Sequence, residues 1–181
     1  MMDRQGLISA VVCAAAIMVG GVARADESRT IATSGQACQP AFGAAGQVGY
    51  GEPGIGNYSS TSARVFCSAQ VDSLDYNYQG LLENTYVWLQ TYDYSSTTDF
   101  WCYPWADDQG SNFWGPTKHT CSGWGGCPDP TSSFTGTSWL YWYNPFPGGH
   151  NRSLTYGVSC NIAPGSWVQF MWSQNTTRGS N

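Results

Sequence analysis

Asn84–Tyr92 reads NTYVWLQTY. Val87, Leu89 and Thr91 alternate with Tyr86, Trp88, Gln90 and Tyr92, and nearly every residue is β-branched or aromatic. Successive side chains on a strand point to opposite sides, so this period of two predicts a β-strand with one face turned inward.

The pattern extends in both directions. Upstream, Ser62–Gln70 (SARVFCSAQ) sets Ala63, Val65 and Cys67 against Arg64, Phe66 and Ser68. Downstream, Thr97–Trp105 sets Phe100 and Cys102 against Trp101, Tyr103 and Trp105, with Pro104 predicted to end the strand or hold it at a sheet edge. In Thr137–Tyr143, Trp139, Tyr141 and Tyr143 oppose Leu140 and Trp142. In Ser153–Cys160, Leu154, Tyr156, Val158 and Cys160 share a face. In Ser166–Trp172, Trp167, Gln169 and Met171 oppose Val168, Phe170 and Trp172. About seven short strands with regular turn signals and no amphipathic helix predict an all-β fold, an antiparallel two-sheet sandwich in preference to a barrel. No repeat of fixed period is visible, which argues against a propeller or solenoid.

The organisation outside the strands is read from composition. Residues 1–25 have the form of a secretory signal: Arg4, an apolar run from Leu7 to Val22, and a small-x-small cleavage pattern at Ala23-Arg24-Ala25. Gly20-Gly21 interrupts the run, which falls short of the ~20 apolar residues of a membrane span. Export with cleavage near Ala25 is expected, giving a secreted or cell-surface protein without a transmembrane segment in the mature chain. Residues 26–61 read as a glycine-rich arm with at most a short strand near Gln47–Tyr50, residues 62–174 as the sandwich, and residues 175–181 as a polar tail. Between positions 106 and 135 no periodicity is sustained, and a loop that long binds something or hides a short strand.

Seven cysteines become six once Cys13 leaves with the signal. Cys38, Cys67, Cys102, Cys121, Cys127 and Cys160 form an even set in an exported chain, so a disulfide-stapled fold is expected. Spacing favours disulfides over zinc, because no CxxC pair is present. Six cysteines allow 15 connectivities; a Cys67–Cys160 bridge between the sheets is one.

Charge is scarce, at 10% of residues against about 25% in ordinary domains. The formal net charge is −5, and no basic cluster exists, which excludes a nucleic-acid partner and disfavours an anionic membrane surface. Tryptophan and tyrosine, nine and eleven of them, occur among Ser, Thr, Asn and Gly. That mixture suits either a binding surface or the filling of a β-core.

Several chemistries can be tried on the residues. His119 and His150 stand in loops with no GxSxG turn, and nucleophilic catalysis has no visible constellation. Glu83, Asp93, Asp99, Asp107 and Asp108 include candidates for a glycosidase pair, which needs two carboxylates across a groove. Asp107 and Asp108, in DDQGSN, are weak candidate calcium ligands, because the further ligands of an EF-hand loop are missing. No other cofactor is suggested. Asn57, Asn151 and Asn175 begin glycosylation sequons. The strongest candidate is aromatic binding. Cys102 leans inward, which leaves Trp101, Tyr103 and Trp105 outside, extended by Trp114 and Trp124 in the loop that follows. Exposed, these rings would stack on a glycan or meet a cell-surface protein; buried, they are core. The expected function is non-catalytic binding. The alternatives are a structural or protein-interaction component of an extracellular surface and an acid/base glycosidase.

The order of signal peptide, early Cys38, Val65-Phe66-Cys67, Trp101-Cys102 and Tyr156-Gly157-Val158-Ser159-Cys160 before Pro164-Gly165 resembles a scattered group of uncharacterised, exported, six-cysteine bacterial proteins. The resemblance implies export and an all-β fold and brings no activity or functional residue with it.

Overall fold

The computed structural model describes residues 27–69, 82–95, 97–108, 111–130, 134–146 and 155–177. The signal segment, His150, Asn151, Leu154, Gln109 and Gly110 lie outside the described residues. The strands are β1 (Glu27–Ser34), β2 (Gln39–Pro40), β3 (Val48–Gly51), β4 (Gly54–Asn57), β5 (Ala63–Ser68), β6 (Leu82–Asp93) and β7 (Trp101–Asp108). They continue with β8 (Ser111–Trp114), β9 (Lys118–His119), β10 (Trp124–Gly125), β11 (Gly136–Tyr143), β12 (Thr155–Ile162) and β13 (Trp167–Thr177). The fold is all-β, as expected, and the strands are more numerous than the periodicity showed.

They make two sheets. Sheet A runs β10-β11-β6-β13-β4-β3, with β1 paired to β13 beyond the point where β4 leaves it. Sheet B runs β2-β5-β12-β7-β8, with β9 on the start of β7. Every pairing is antiparallel except the two-residue parallel contact of β10 with β11. The inner faces meet in one core: Val87, Leu89, Leu140, Trp142, Val168 and Met171 from sheet A, and Val65, Cys67, Cys102, Tyr156, Val158 and Ile162 from sheet B. Burying a side chain of this size contributes about 1.5–3 kcal/mol.

Four differences from the sequence reading have physical causes. The segment read as an arm carries β1, a 3-10 turn at Gly35–Ala37, and β2 to β4. The polar strand β1 (ESRTIATS) has no amphipathic pattern and is ordered by its backbone pairing to Phe170–Thr177, which also carries β13 past Gln174 into the expected tail. Next, β7 runs through Pro104 rather than stopping there. On one side Pro104 stands opposite Val158; on the other, β9 pairs only with Trp101 and Cys102 and β8 resumes at Trp105. The missing N–H falls in the gap between β9 and β8, while the Pro104 carbonyl accepts from Gly115 N.

Third, a bulge at Gln169 shifts the register of β13 against β6. Val168 and Met171 therefore both point inward, and Trp167, Phe170 and Trp172 share the outer face, which replaces the alternation read from Ser166–Trp172. Gly54 approaches this bulge so closely that a Cβ on it would lie 2.1 Å from the Val168 carbonyl. Fourth, Cys67 and Cys160 do not pair. Cys160 directly faces Cys102 across β12–β7, whereas Cys67 stands opposite Val158, a diagonal neighbour of Cys160 in the same sheet. The bridges are Cys38–Cys67, Cys102–Cys160 and Cys121–Cys127.

Candidate binding surfaces

The two sheets turn different outer faces to solvent. On sheet A the outward positions of β6, β11 and β13 fall into register: Tyr143 opposite Tyr86, Tyr141 opposite Trp88 opposite Trp172, and Trp139 opposite Gln90 opposite Phe170. Rings so placed contact one another in two groups. One is a row: Trp124 to Trp139 (5.6 Å between centroids), Trp139 to Trp172 (5.2 Å), and Trp172 to Phe170 (5.7 Å). The other gathers Tyr143, Tyr86, Trp88 and Tyr141 at 4.9–6.4 Å.

Interplanar angles in these groups run from 8° to 38°. Tyr86–Trp88, Tyr86–Tyr141, Trp88–Tyr141 and Trp139–Trp172 stack in the offset arrangement that π-systems favour, while Trp124–Trp139, Phe170–Trp172 and Tyr86–Tyr143 are tilted. Inner members thus cover each other: Trp88, Trp139, Tyr141 and Trp172 are half-buried. Open ring surface remains where a group ends, at Trp124 (70% exposed), Tyr143 (52%) and Phe170 (42%). Burial raises the Tyr141 hydroxyl above its ordinary pKa of 10.0, with Tyr86 and Tyr143 adding to the effect.

Trp124 stands on a braced loop. Cys121 and Cys127 close it covalently, and His119 exchanges two backbone hydrogen bonds with Cys127. Gly125 and Gly126 take φ of +92° and +78°, a turn other residues adopt only under strain. The Lys118 ammonium donates to the carbonyls of Gly125 (2.7 Å) and Tyr141, fixing the loop to β11. Burial lowers the Lys118 pKa from its usual 10.5. A large apolar ring is thus held out in solvent by a disulfide, an ammonium and a two-residue pairing to β11.

The outer face of sheet B holds the residues singled out from the sequence. Trp101, Tyr103 and Trp105 do point outward, opposite the inward Phe100 and Cys102, and all three are half-buried. Opposite these rings β12 places Gly157, Ser159 and Asn161 on this side, and Arg64 fills the trough that leaves. Its guanidinium lies 5.4 Å from the Tyr103 ring centre and 5.5 Å from that of Phe66, and its Nε donates to Ser159 Oγ. Trp101 stacks on Tyr103 at 5.8 Å, and Trp114, 54% exposed, meets Tyr103 edge-on. The structure gathers Trp101, Tyr103, Trp105 and Trp114 on one side and sets Trp124 on the other sheet. Sequence reasoning noted the alternation of Trp88, Trp139 and Tyr141 but missed their assembly, because the bulge that brings Phe170 and Trp172 to them leaves no mark in composition.

The remaining candidates fall into place as brackets. Asp93 ends β6 on its inner side at 1% exposure, accepting from Thr120 Oγ1 (2.6 Å), Ser166 Oγ (2.9 Å) and Ser95 N (3.1 Å). Burial raises its pKa above 3.8 against these bonds, helped by the charge of Asp99. Thr120 N also donates to Phe100 O, so this cluster ties the two sheets at one end. His119, for which the sequence showed no partner, has both Asp99 oxygens within 2.8–2.9 Å of Nδ1. The ring is 8% exposed, and the adjacent Thr120 hydroxyl is committed to Asp93. Asp107 and Asp108 close β7 opposite Asn112 and Ser111, as hairpin partners. Among the described residues no three His, Cys, Asp or Glu side chains gather as a metal site. Asn57 is buried, donating to Thr61 O and Ile162 O, so its sequon is closed to modification in the folded chain.

In sequence, the chain matches no family model and no curated protein. Among the described residues no helix is long and apolar enough to cross a membrane.

Proposed function

We propose that the protein is an exported, non-catalytic binding module that engages a carbohydrate or another surface ligand through the outer face of sheet A. Three disulfides suit an oxidising compartment, and the sequence features of residues 1–25 suit export. The observation that carries the reading is Trp124. Holding a large apolar ring at 70% exposure forgoes most of what its burial would contribute to folding. Preorganising that ring cuts the entropy lost on binding, and a braced Trp joined to a row of further rings is what a binding surface requires. Acid/base catalysis receives less support: Asp93 has its oxygens committed to three donors and Asp99 is bound to His119.

A screen of the mature chain against glycan arrays and isolated cell-wall material tests the proposal. Binding that weakens about 3- to 10-fold with Trp124→Ala, while the melting temperature holds, is the expected result. Silence of the wild-type protein across both would overturn it.

A further inference from the structure

We infer that the ligand of the sheet A face is a neutral, linear glycan lying across the strands from Trp124 towards Phe170; this deepens the proposed function and rests on it. The first argument is charge. Over Tyr86–Tyr92, Thr137–Tyr143 and Trp167–Gln174 every outward position is aromatic, Gln or Thr, with no Asp, Glu, Lys or Arg among them. Lys118, beside Tyr141, is committed to two carbonyls. An anionic polysaccharide would find no free cation there and would approach a chain of net charge −5. Protein interfaces draw on Arg among their anchors and set polar or charged groups around them, and this face supplies no Arg. What it does supply is ring surface beside hydroxyls and carboxamides: Gln90 stands in register between Trp139 and Phe170. That combination recognises a polyhydroxylated molecule without charge.

The second argument is the arrangement of the rings. Centroid spacings of 5.6 and 5.2 Å carry the row from Trp124 on β10 through Trp139 on β11 and over β6 to Trp172 on β13, and a third of 5.7 Å runs along β13 to Phe170. Its inner rings are occupied by each other, and open surface lies at the two ends. A monosaccharide can use one end only. An oligosaccharide long enough to reach both gains a second stacking contact at little further entropic cost, as linked epitopes do. Affinity is therefore expected to rise with chain length and then level once both ends are engaged.

The experiment is affinity electrophoresis of the mature chain through gels containing a neutral β-glucan, mannan or galactan, and through gels containing polygalacturonate or a sulfated glycan. Calorimetry with an oligosaccharide length series of whichever polymer retards it follows. The expected result is retardation by a neutral polymer, insensitive to added salt because no ion pair is involved, with length-dependent affinity. Trp124→Ala and Phe170→Ala, both at exposed positions, should each weaken the long oligosaccharide about 3- to 10-fold and flatten the length dependence. Retardation only by the anionic polymers, abolished by salt, would overturn the inference while leaving the proposed function standing. So would equal affinity for mono- and oligosaccharides. Concentration-dependent dimerisation that Trp124→Ala abolishes would make the occupant a second copy of the chain and overturn both the inference and the proposed function. No retardation in any gel, with no binding on the arrays, would remove the proposed function itself.

Discussion

The outer faces of the two sheets carry similar residues and put them to different ends. On sheet B two rings meet a guanidinium: Arg64 lies over Tyr103 and Phe66 and bonds to Ser159, so the protein's own cation covers the middle of the face, while Trp114 at its edge stays 54% exposed. On sheet A the rings mainly meet one another, with Lys118 beside Tyr141 but committed to backbone carbonyls, and exposed rings stand at Trp124, Tyr143 and Phe170. The contrast shows that aromatic content says little about a binding surface until the occupant of each ring face is known. A stacked ring is already bound, in effect, to its neighbour.

Four substitutions would break or sharpen this contrast. The largest stability effect is expected in sheet B, where Cys102 and Cys160 join directly opposed strands across 58 residues of chain. Replacing both with Ala should cost about 4 kcal/mol on the loop-entropy scale, read as a lowered urea midpoint. Arg64→Ala comes next, at roughly 1–2 kcal/mol for two solvent-exposed ring contacts and the packing of the stem. On the proposed function, which puts the ligand on sheet A, it should leave ligand binding unchanged; a new or stronger binding activity would show that Arg64 was masking a site. Replacing Cys121 and Cys127 with Ser removes a bridge of separation six, worth about 2 kcal/mol at most on the same scale. Here binding should suffer more than folding, since the bridge braces Trp124.

The smallest effect is one of pH. Burial raises the folded-state pKa of Asp93 above 3.8. The folded protein then takes up a proton more readily than the unfolded chain. The stability this contributes is fully present below pH 3.8 and is lost as pH rises through the folded value. Asp93→Asn keeps an acceptor for Ser166 and Ser95, and the Thr120 hydroxyl can turn to accept from the new amide. The variant should gain on the wild type as pH rises above 3.8, at no more than about 1.4 kcal/mol per pH unit, and then run parallel to it. Urea midpoints across that range check the sign, and a variant that falls behind as pH rises would refute it.

Much of the fold was legible because strands with one face in the core print their alternation in the sequence. Ala63, Val65 and Cys67, or Val87 and Leu89, are inward as read. The illegible parts depend on partners far along the chain. Polar β1 becomes a strand only against β13, and Pro104 is tolerated only because β8 and β9 leave a gap. Cys160 chooses Cys102 over Cys67 by a register that no spacing rule encodes. The site divided in the same way. Local alternation set Trp101, Tyr103 and Trp105 outward, whereas the two-residue parallel pairing of β10 with β11 sent Trp124 to the opposite sheet.

Oxidation footprinting of the nine tryptophans, read by mass spectrometry with and without a bound ligand, tests the central claim most directly. Trp124 should be modified fastest in the free protein and be protected by the ligand, with Trp101 and Trp105 slow and unchanged in both. Protection at Trp101, Trp105 and Trp114 with Trp124 left reactive would place the ligand on sheet B and contradict the account.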